Sequence, residues 1–366
     1  MFIGCNYMET DCSCRALLNR FKRMMSKLKF ENLPVPSDQP NEYLSCEWIE
    51  GGIVFISNTI TACCVGFEGG GRPKLADYTG GDLPIGQILA ERKNIVSNNK
   101  NGGDSRCKGC SQLVTKAWGE REWLFDKILF NHFTTCNVRC VYCSFVKDES
   151  VDSPLSEVIE VLPTVKQMVA NNWLAPHTTV YFGGGEPTIL PEFDELIEFL
   201  TKHGARFTVF SNGIRFSKAI EKSLQAGRVD TLLLSIDAGS PEVFKALKGV
   251  DKCDQVWANA ERYINASRDV VWPKIIFRQE NINEAIPFLD RVKKAGASHI
   301  VFDIDTDYHS LPADVINAAA LIKYESIKRN IVPITGEAGI KYRPELNAAE
   351  KIEQRVLELQ GNIDIK

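Results

Sequence analysis

Short β-branched runs alternate with longer amphipathic segments along the middle of this chain, between residues 124 and 305. Several of the amphipathic segments end in glycine, as helices often do. Strands separated by helices pair in parallel, because a parallel connection needs a crossover of a dozen or more residues. The pattern therefore predicts an α/β fold with a parallel sheet and a site at the carboxyl ends of the strands. The predicted strands are 124–133, 178–183, 206–211, 230–237, 273–279 and 299–305.

The segments on either side of this region have a different character. Residues 42–116 are rich in glycine and contain two apolar runs around a Ser-Asn-Thr turn, which predict a hairpin in a small domain held together by a metal. Residues 1–41 predict a basic helix and a linker containing prolines, and residues 311–366 predict helices and contain no cysteine. We therefore expect an N-terminal helix and linker (1–41), a cysteine-rich domain (42–116), a six-unit partial barrel (117–310) and a C-terminal helical extension (311–366).

Charge and hydropathy exclude several classes of protein. The formal net charge is −4 and no block of like charges occurs, so we expect no nucleic-acid partner. The most apolar stretch, residues 51–67, is too short and too polar to span a bilayer, so we expect no membrane association. The first residues lack a basic region followed by an apolar run, which predicts a cytoplasmic protein without a secretory signal.

The chain has twelve cysteines, a large number for a reducing compartment in which disulfides do not persist. Cys136, Cys140 and Cys143 lie on the loop after the first predicted strand, so their thiolates converge at the carboxyl edge of the sheet. A four-iron cluster takes four ligands, and three local cysteines leave one iron open to a substrate or cofactor. The alternatives are a structural zinc site, with His132 as a fourth ligand, or three buried thiols.

A glycine-rich motif, Gly183-Gly184-Gly185-Glu186, follows the second predicted strand. Glycines allow a ligand to approach the backbone, and a carboxylate accepts hydrogen bonds from an ammonium group. A tight βα turn is the alternative interpretation. The motif is nevertheless expected at the same edge of the sheet as the cysteine loop, which favours a shared site.

The C-x3-C-x2-C loop, the Gly-Gly-Glu motif and the six βα units together resemble the radical S-adenosylmethionine (SAM) superfamily, in order and in spacing. The resemblance covers residues 124–305. It implies a partial (β/α)6 barrel and a [4Fe-4S] cluster on Cys136, Cys140 and Cys143, whose open iron chelates the amino and carboxylate groups of SAM. The implied chemistry is homolysis of SAM to a 5′-deoxyadenosyl radical, which removes hydrogen from unactivated carbon.

The same resemblance implies how SAM is bound. The glycine-rich motif would receive the methionine amino group, and polar residues at the ends of the third and fourth strands would contact the ribose or the carboxylate. A tyrosine within the cysteine loop would lie on the adenine side, with core packing as the alternative. The cofactor-binding residues are then Gly184, Gly185, Glu186, Ser211, Asn212, Ser235 and Tyr142.

A second group of cysteines precedes the barrel and resembles the auxiliary-cluster domain of the SPASM and twitch subgroups. The implied ligands of an auxiliary [4Fe-4S] cluster are Cys46, Cys63, Cys107 and Cys110, with Cys64 as the alternate for Cys63. Those subgroups carry the auxiliary domain after the barrel, so the order here is reversed. A zinc ribbon is the alternative, because a CxxC pair with two distant cysteines also suits zinc.

The remaining cysteines and the polar strand ends supply further candidates. Cys253 lies beyond the fourth strand, where a thiol near a radical site returns a hydrogen atom to a substrate; a buried packing residue is the alternative. The spacing of Cys5, Cys12 and Cys14 is too irregular to assign. Polar strand-end residues are expected to face a polar substrate or to form surface salt bridges, and they are Asp237, Arg278, Glu280, Asp303, Asp305 and His309.

These expectations favour an oxidoreductase- or epimerase-type radical enzyme that acts on a small polar substrate, such as a sugar, an aminocyclitol or a nucleoside-like molecule. The expected reaction is an oxidation, an epimerisation or a rearrangement, and the resemblance implies a flavodoxin- or ferredoxin-type electron donor. The alternatives are a peptide-modifying radical enzyme and a non-catalytic iron-sulfur or zinc scaffold.

Overall fold

The computed structural model describes residues 42–63, 72–101, 103–110, 112–143, 158–341 and 343–361, which form one compact unit. The predicted helix and linker at residues 1–41, together with Cys5, Cys12, Cys14 and Cys64, lie outside the described residues. The central feature is a ten-stranded sheet in the order β12-β11-β10-β9-β8-β7-β6-β2-β3-β4. Strands β2 and β6 to β12 run parallel to one another, and β3 and β4 continue the sheet as an antiparallel edge.

The strands and helices have the following bounds. The strands of the large sheet are β2 Gly52–Ile56, β3 Thr59–Thr61, β4 Lys74–Asp77, β6 Phe125–Asn131, β7 Leu174–Phe182, β8 Arg206–Ser211, β9 Val229–Ser235, β10 Val271–Phe277, β11 His299–Ile304 and β12 Val332–Thr335. Strands β1 Glu42–Ser45 and β5 Val114–Ala117 form a separate antiparallel pair. The helices are α1 Glu47–Gly51, α2 Ile85–Lys100, α3 Leu162–Ala170, α4 Phe193–His203, α5 Lys218–Gln225, α6 Pro241–Lys248, α7 Cys253–Ala266, α8 Ala285–Ala295, α9 Ala313–Lys328 and α10 Ala348–Gly361.

The predicted fold class is confirmed, since each of the six predicted strands is a parallel strand of one sheet with helices between them. The sheet extends further than expected at both edges. Strand β12 pairs with β11, and β2 of the predicted hairpin pairs in parallel with β6. The first part of the predicted hairpin is also different, because residues 47–51 form the short helix α1 rather than a strand.

Stacked aromatic rings hold the N-terminal hairpin on the barrel sheet. Phe130 lies between Phe55 and Phe182, with ring centroids 5.3 Å apart on both sides, and all three side chains are buried. Burial of each ring stabilises the fold by about 1.5–3 kcal/mol, before packing geometry is considered. Residues of the expected cysteine-rich domain therefore share a core with the first two barrel strands.

Helix α2 joins the same region through one buried arginine. The Arg92 guanidinium donates hydrogen bonds to the carbonyls of Gly52 at 2.6 Å and of Leu124 at 3.0 Å, at the starts of β2 and β6. Burial lowers the pKa of Arg92 to about 10. None of the helices in the described ranges is long and apolar enough to cross a membrane.

Candidate active site

The three sequence motifs of the barrel meet because β6, β7 and β8 are neighbours in the sheet. Leu129 of β6 pairs with Tyr181 of β7, and Phe182 of β7 pairs with Val209 of β8. The loops that leave the carboxyl ends of these strands therefore start side by side. They carry the cysteine loop, the glycine-rich motif and the Ser211-Asn212 pair in that order.

The glycine-rich motif is packed directly against the segment that leads into the cysteine loop. The Gly185 amide donates to the Phe133 carbonyl and the Glu186 amide donates to the Thr135 carbonyl, each at 2.9 Å. A Cβ atom on Gly185 would lie 2.1 Å from the Thr135 oxygen, and one on Gly184, whose φ is +86°, would lie 2.5 Å from the Phe133 oxygen. The two glycines are therefore required by the close approach of two loops of the chain itself.

The Glu186 carboxylate is the centre of a hydrogen-bond network between the second and third loops. Its Oε1 accepts from the Thr188 amide at 3.1 Å, the Thr188 hydroxyl at 2.6 Å and the Ser211 hydroxyl at 2.9 Å. Its Oε2 accepts from the Asn212 amide at 2.6 Å. The side chain is 2% exposed, and burial raises the pKa of Glu186 while these donors oppose the rise.

Asn212 continues the network to the cysteine loop. Its Nδ2 donates to Asn137 Oδ1 at 2.7 Å and lies 3.6 Å from Cys136 Sγ. Burial raises the pKa of Cys136, and the Asn212 side chain opposes that rise. The side chain of Asn212 thus contacts the first cysteine of the loop, and its main-chain amide is hydrogen-bonded to Glu186.

The main chain of the cysteine loop is also hydrogen-bonded to the C-terminal end of helix α6. The amides of Arg139 and Val141 donate to the carbonyls of Lys248 and Leu247, each at 3.0 Å. Carbonyls in the last turn of a helix have no intrahelical partner, so the loop provides their hydrogen bonds. The Cys143 amide then closes a turn on the Cys140 carbonyl at 3.1 Å.

The Tyr142 side chain of this loop is bonded to two buried charged groups, Asp237 and Lys248. Tyr142 Oη donates to Asp237 Oδ2, and Lys248 Nζ donates to Tyr142 Oη at 2.7 Å and forms an ion pair with Asp237. Burial, followed by the Asp237 charge, raises the pKa of Tyr142 well above its usual value. The hydroxyl of Tyr142 is therefore committed to the protein, and the adenine contact expected of its ring stays a prediction.

The donor set of the cysteine loop fits a [4Fe-4S] cluster with three protein ligands. All three thiols are free of disulfides, Cys136 is exposed, and Cys140 and Cys143 are half-buried at the mouth of the sheet. His132, the alternative zinc ligand, is buried between Phe130 and Phe133, and burial lowers its pKa to about 4. Within the described ranges, no three His, Cys, Asp or Glu side chains are already gathered around one point as metal ligands.

Three of the four expected auxiliary cysteines lie on two segments that the β1–β5 pair brings side by side. Ser45 pairs with Val114, which places Cys46 beside the segment that contains Cys107 and Cys110. The Cys110 amide donates to the Cys107 carbonyl at 3.1 Å, so the CxxC pair forms a tight turn. Burial is the main cause that raises the pKa of Cys46 and brings that of Cys107 to about 11. The Cys110 charge also raises the pKa of both thiols, and the Cys46 charge raises that of Cys107.

The fourth expected ligand, Cys63, lies just after β3, where its carbonyl accepts a hydrogen bond from the Thr61 hydroxyl at 2.8 Å. Cys253, the expected hydrogen donor, is the first residue of α7 and is 2% exposed. Its thiol faces the Gly239 carbonyl at 3.8 Å, and burial raises its pKa to about 11. This position fits the packing role better than access to a substrate.

Most of the strand-end polar residues are bonded within the protein. Asp303 accepts from the amides of Ala338 and Gly339, and Arg278 forms ion pairs with Asp305 and Glu280. Asp237 is occupied by Tyr142 and Lys248, as described above. Two of the six expected substrate contacts, Glu280 and His309, are exposed.

The structure adds three residues that the sequence analysis did not select, namely Thr188, Asn137 and Lys248. Thr188 lies two residues after Glu186 and Asn137 directly follows Cys136, so proximity to the motifs was the only available signal. Lys248 is five residues before Cys253 and far from any motif. Only its complete burial, which is unusual for lysine, marks it.

The fold and the site define an α/β protein with a cysteine loop and a glycine-rich loop joined at the carboxyl edge of a parallel sheet. Residues 130–292 match the family model of the radical SAM superfamily. The chain therefore contains a radical SAM domain, and proteins of this superfamily use a [4Fe-4S] cluster and SAM.

The chain is similar to several known proteins over this region. It is 24% identical over 168 residues to the mycofactocin maturase MftC of Mycobacterium tuberculosis (strain CDC 1551 / Oshkosh), covering 44% of this chain and 40% of that protein. It is 28% identical over 166 residues to a probable GTP 3′,8-cyclase of Saccharolobus islandicus (strain Y.N.15.51 / Yellowstone #2), covering 45% of this chain and 52% of that protein. The matches therefore span about half the length of these relatives or less.

Among solved structures, SuiB of Streptococcus suis bound to the precursor peptide SuiA resembles this chain with a TM-score of 0.48 and 12% identity. That alignment covers 90% of this chain and 62% of SuiB.

Proposed function

We propose that this protein is a radical SAM enzyme in which Cys136, Cys140 and Cys143 hold the [4Fe-4S] cluster that binds SAM. The observation that carries the proposal is Asn212, which contacts the cysteine loop through its side chain and Glu186 through its main chain. Three motifs that are far apart in the sequence thus form one connected site at the edge of the sheet. When bound, the cluster supplies one electron that cleaves SAM to methionine and the 5′-deoxyadenosyl radical, which takes a hydrogen atom from the substrate.

The chain's own residues would hold SAM and orient it. Glu186 Oε2 accepts one hydrogen bond from the protein, so it has capacity left for the methionine ammonium group. Gly184 and Gly185 keep the backbone of this loop close to the cysteine loop. Ser211 and Ser235, at the ends of β8 and β9, would contact the ribose or the carboxylate.

For the substrate we propose a small polar molecule held on the inner face of the sheet. Ser235 pairs in register with Lys274, and both side chains are half-buried. The exposed Glu280 and His309 extend this polar surface at the strand ends. Ordered polar groups of this kind suit a sugar, an aminocyclitol or a nucleoside-like molecule.

A peptide is the second candidate substrate, and one observation favours it. Asp237, Arg278, Asp303 and Asp305 are occupied by internal ion pairs and caps, so fewer free side chains remain to read the hydroxyl groups of a sugar. The similarity to a mycofactocin maturase supports the same candidate. We also propose an auxiliary [4Fe-4S] cluster on Cys46, Cys63, Cys107 and Cys110, with zinc as the alternative occupant.

The test is anaerobic reconstitution followed by two measurements, iron and sulfide content and the formation of 5′-deoxyadenosine from SAM under a strong reductant. The parent protein should bind about eight iron atoms, and the variant with Cys136, Cys140 and Cys143 replaced by Ala should retain about four. This variant should make no 5′-deoxyadenosine. A parent protein that binds iron but never cleaves SAM would instead be a non-catalytic scaffold. A folded triple variant that still cleaves SAM would refute the assignment of the cluster ligands.

A further inference from the structure

Lys274 on strand β10 differs from the other cationic side chains on the strands of the described ranges. These strands carry five lysine and arginine residues, namely Lys74, Lys116, Lys127, Arg206 and Lys274. The first four each form an ion pair. Lys274 is half-buried and forms no ion pair and no side-chain hydrogen bond within the described part of the chain. A half-buried ammonium group has lost part of its hydration, so it favours an anionic ligand.

The side chain of Lys274 lies on the open face of the sheet. Successive side chains of a strand point to opposite faces. Ile275 and Phe277 of β10 are fully buried in the hydrophobic core, whereas Lys274 and Ile276 are half-buried. Ser235 of β9 pairs in register with Lys274 and therefore lies on the same face. The ammonium group is thus carried beside the strand end that is proposed to contact SAM.

Asp303 on β11 is the acidic group that interacts electrostatically with Lys274. Burial raises the pKa of Asp303, and the Lys274 charge opposes this rise. The Asp303 carboxylate accepts hydrogen bonds from the amides of Ile304 at 2.9 Å, Ala338 at 3.2 Å and Gly339 at 3.1 Å. The main chain therefore satisfies this carboxylate, and the three N–H donors of the Lys274 ammonium group remain available to a ligand.

A row of apolar side chains lies on the same face as Lys274. Phe210 of β8 pairs in register with Leu233 of β9, and Leu233 pairs with Trp272 of β10. Leu233 and Trp272 come two residues before Ser235 and Lys274, so the two rows are about 7 Å apart along the strands. Phe210 is 41% exposed. Binding sites for small molecules combine such apolar surface with a few polar groups that fix the orientation of the ligand.

We propose that this face binds a small carboxylic acid, with its carboxylate on Lys274 and its apolar group on Phe210. The inference rests on the proposed function, because the bound acid is the substrate only if the protein is a radical SAM enzyme. One cation without an ion pair matches the single charge of a carboxylate, whereas a phosphate monoester, with a charge of about −2, needs further donors. Arg278 does not supply them, since it is paired with Asp305 and Glu280.

The test compares hydrocinnamate with its neutral amide, two probes that share a phenyl group and differ in charge. Ligand-observed NMR titration of the full-length reconstituted protein, with SAM and without reductant, measures both dissociation constants. The parent protein should bind the acid about tenfold more tightly than the amide, because only the acid forms a charge-assisted hydrogen bond. Lys274→Met should lose this preference and still bind the amide, and Lys274→Arg should keep the preference.

Three further variants separate the charge from the apolar surface. Lys245→Met removes an exposed lysine that pairs with Asp251 at 3.7 Å, and should keep the preference for the acid. Phe210→Ala should weaken the binding of acid and amide by the same factor. Ile327→Ala removes an exposed apolar side chain from helix α9 and should change neither affinity.

A parent protein that binds acid and amide equally overturns the inference, and this comparison does not require that Lys274→Met folds. A Lys274→Met variant that keeps the preference overturns it as well. A tripeptide ending in phenylalanine that binds more tightly than hydrocinnamate, with the same dependence on Lys274, would assign the face to a peptide instead. A parent protein that shows the preference but never cleaves SAM contradicts the proposed function and not the binding site, so the two failures are distinguishable.

Discussion

Replacement of Glu186 by glutamine tests whether this carboxylate binds SAM or only joins two loops. In the structure Glu186 accepts hydrogen bonds from two main-chain amides, those of Thr188 and Asn212, and from two hydroxyls, those of Thr188 and Ser211. A glutamine amide can still serve both hydroxyls, because a hydroxyl group also accepts hydrogen bonds. In either orientation, however, its NH2 group faces one of the two main-chain amides.

The expected loss of stability follows from the one main-chain N–H group that is left without an acceptor. A buried N–H group without an acceptor costs about 1–3 kcal/mol, so the free energy of unfolding of Glu186→Gln should fall by that amount. If the carboxylate also pairs with the methionine ammonium, the lost charge-assisted hydrogen bond is worth about 1.5–3 kcal/mol, a tenfold to hundredfold loss of SAM affinity.

Glu192 offers a matched control. It accepts hydrogen bonds from the amides of Val161 at 2.7 Å and Leu162 at 2.9 Å, one on each carboxylate oxygen, and directly precedes α4. Glu192→Gln also leaves one main-chain N–H group without an acceptor. It should show a similar decrease in the free energy of unfolding with unchanged SAM affinity.

Urea unfolding of the apo-proteins and calorimetric titration of the reconstituted proteins with SAM measure the two quantities. Equal losses of SAM affinity in both variants would mean that general destabilisation is the cause. Unchanged affinity in Glu186→Gln would refute a contact between Glu186 and SAM.

Three further predictions concern the loops and the auxiliary cysteines. Burial lowers the pKa of His132 from 6.5 to about 4. Between these two pH values the unfolded state therefore binds more protons than the folded state, and the free energy of unfolding falls as the pH is lowered. His132→Phe should reduce that acid-induced loss of unfolding free energy by about 3 kcal/mol, and equal losses in both proteins would contradict the reasoning. Gly185→Ala introduces a Cβ 2.1 Å from a main-chain oxygen and should abolish cluster retention, whereas Gly183→Ala, with nothing within 4 Å, should retain the parent's iron content. Finally, the folded double variant Cys107→Ala, Cys110→Ala should still form 5′-deoxyadenosine under strong reductant but lose substrate conversion. Loss of both would place these cysteines in SAM activation.

The sequence analysis succeeded where the signal is local. The alternation of strands and helices is read within windows of ten to twenty residues, and each of the six predicted strands is present in the sheet. It missed helix α2, which lies within the glycine-rich residues 42–116, and strand β12, which has only four residues and includes a proline. A short edge strand carries no periodicity that distinguishes it from a loop.

The amino-acid sequence by itself determined the fold class and the location of the motifs, because parallel strands place their carboxyl ends at one edge whatever their detailed packing. Only the tertiary structure decided that β2 joins the barrel sheet and that Cys46 lies beside Cys107 and Cys110. It also decided that Lys248 and Asp237 are paired and bonded to Tyr142 of the cysteine loop. The first two of these are contacts between residues that are distant in the chain. Lys248 and Asp237 are closer in the chain, but their complete burial depends on the surrounding strands and on the cysteine loop. Periodicity and spacing show which side chains of a segment lie on the same face. Which other segment packs against that face depends on the free energy of the whole folded structure.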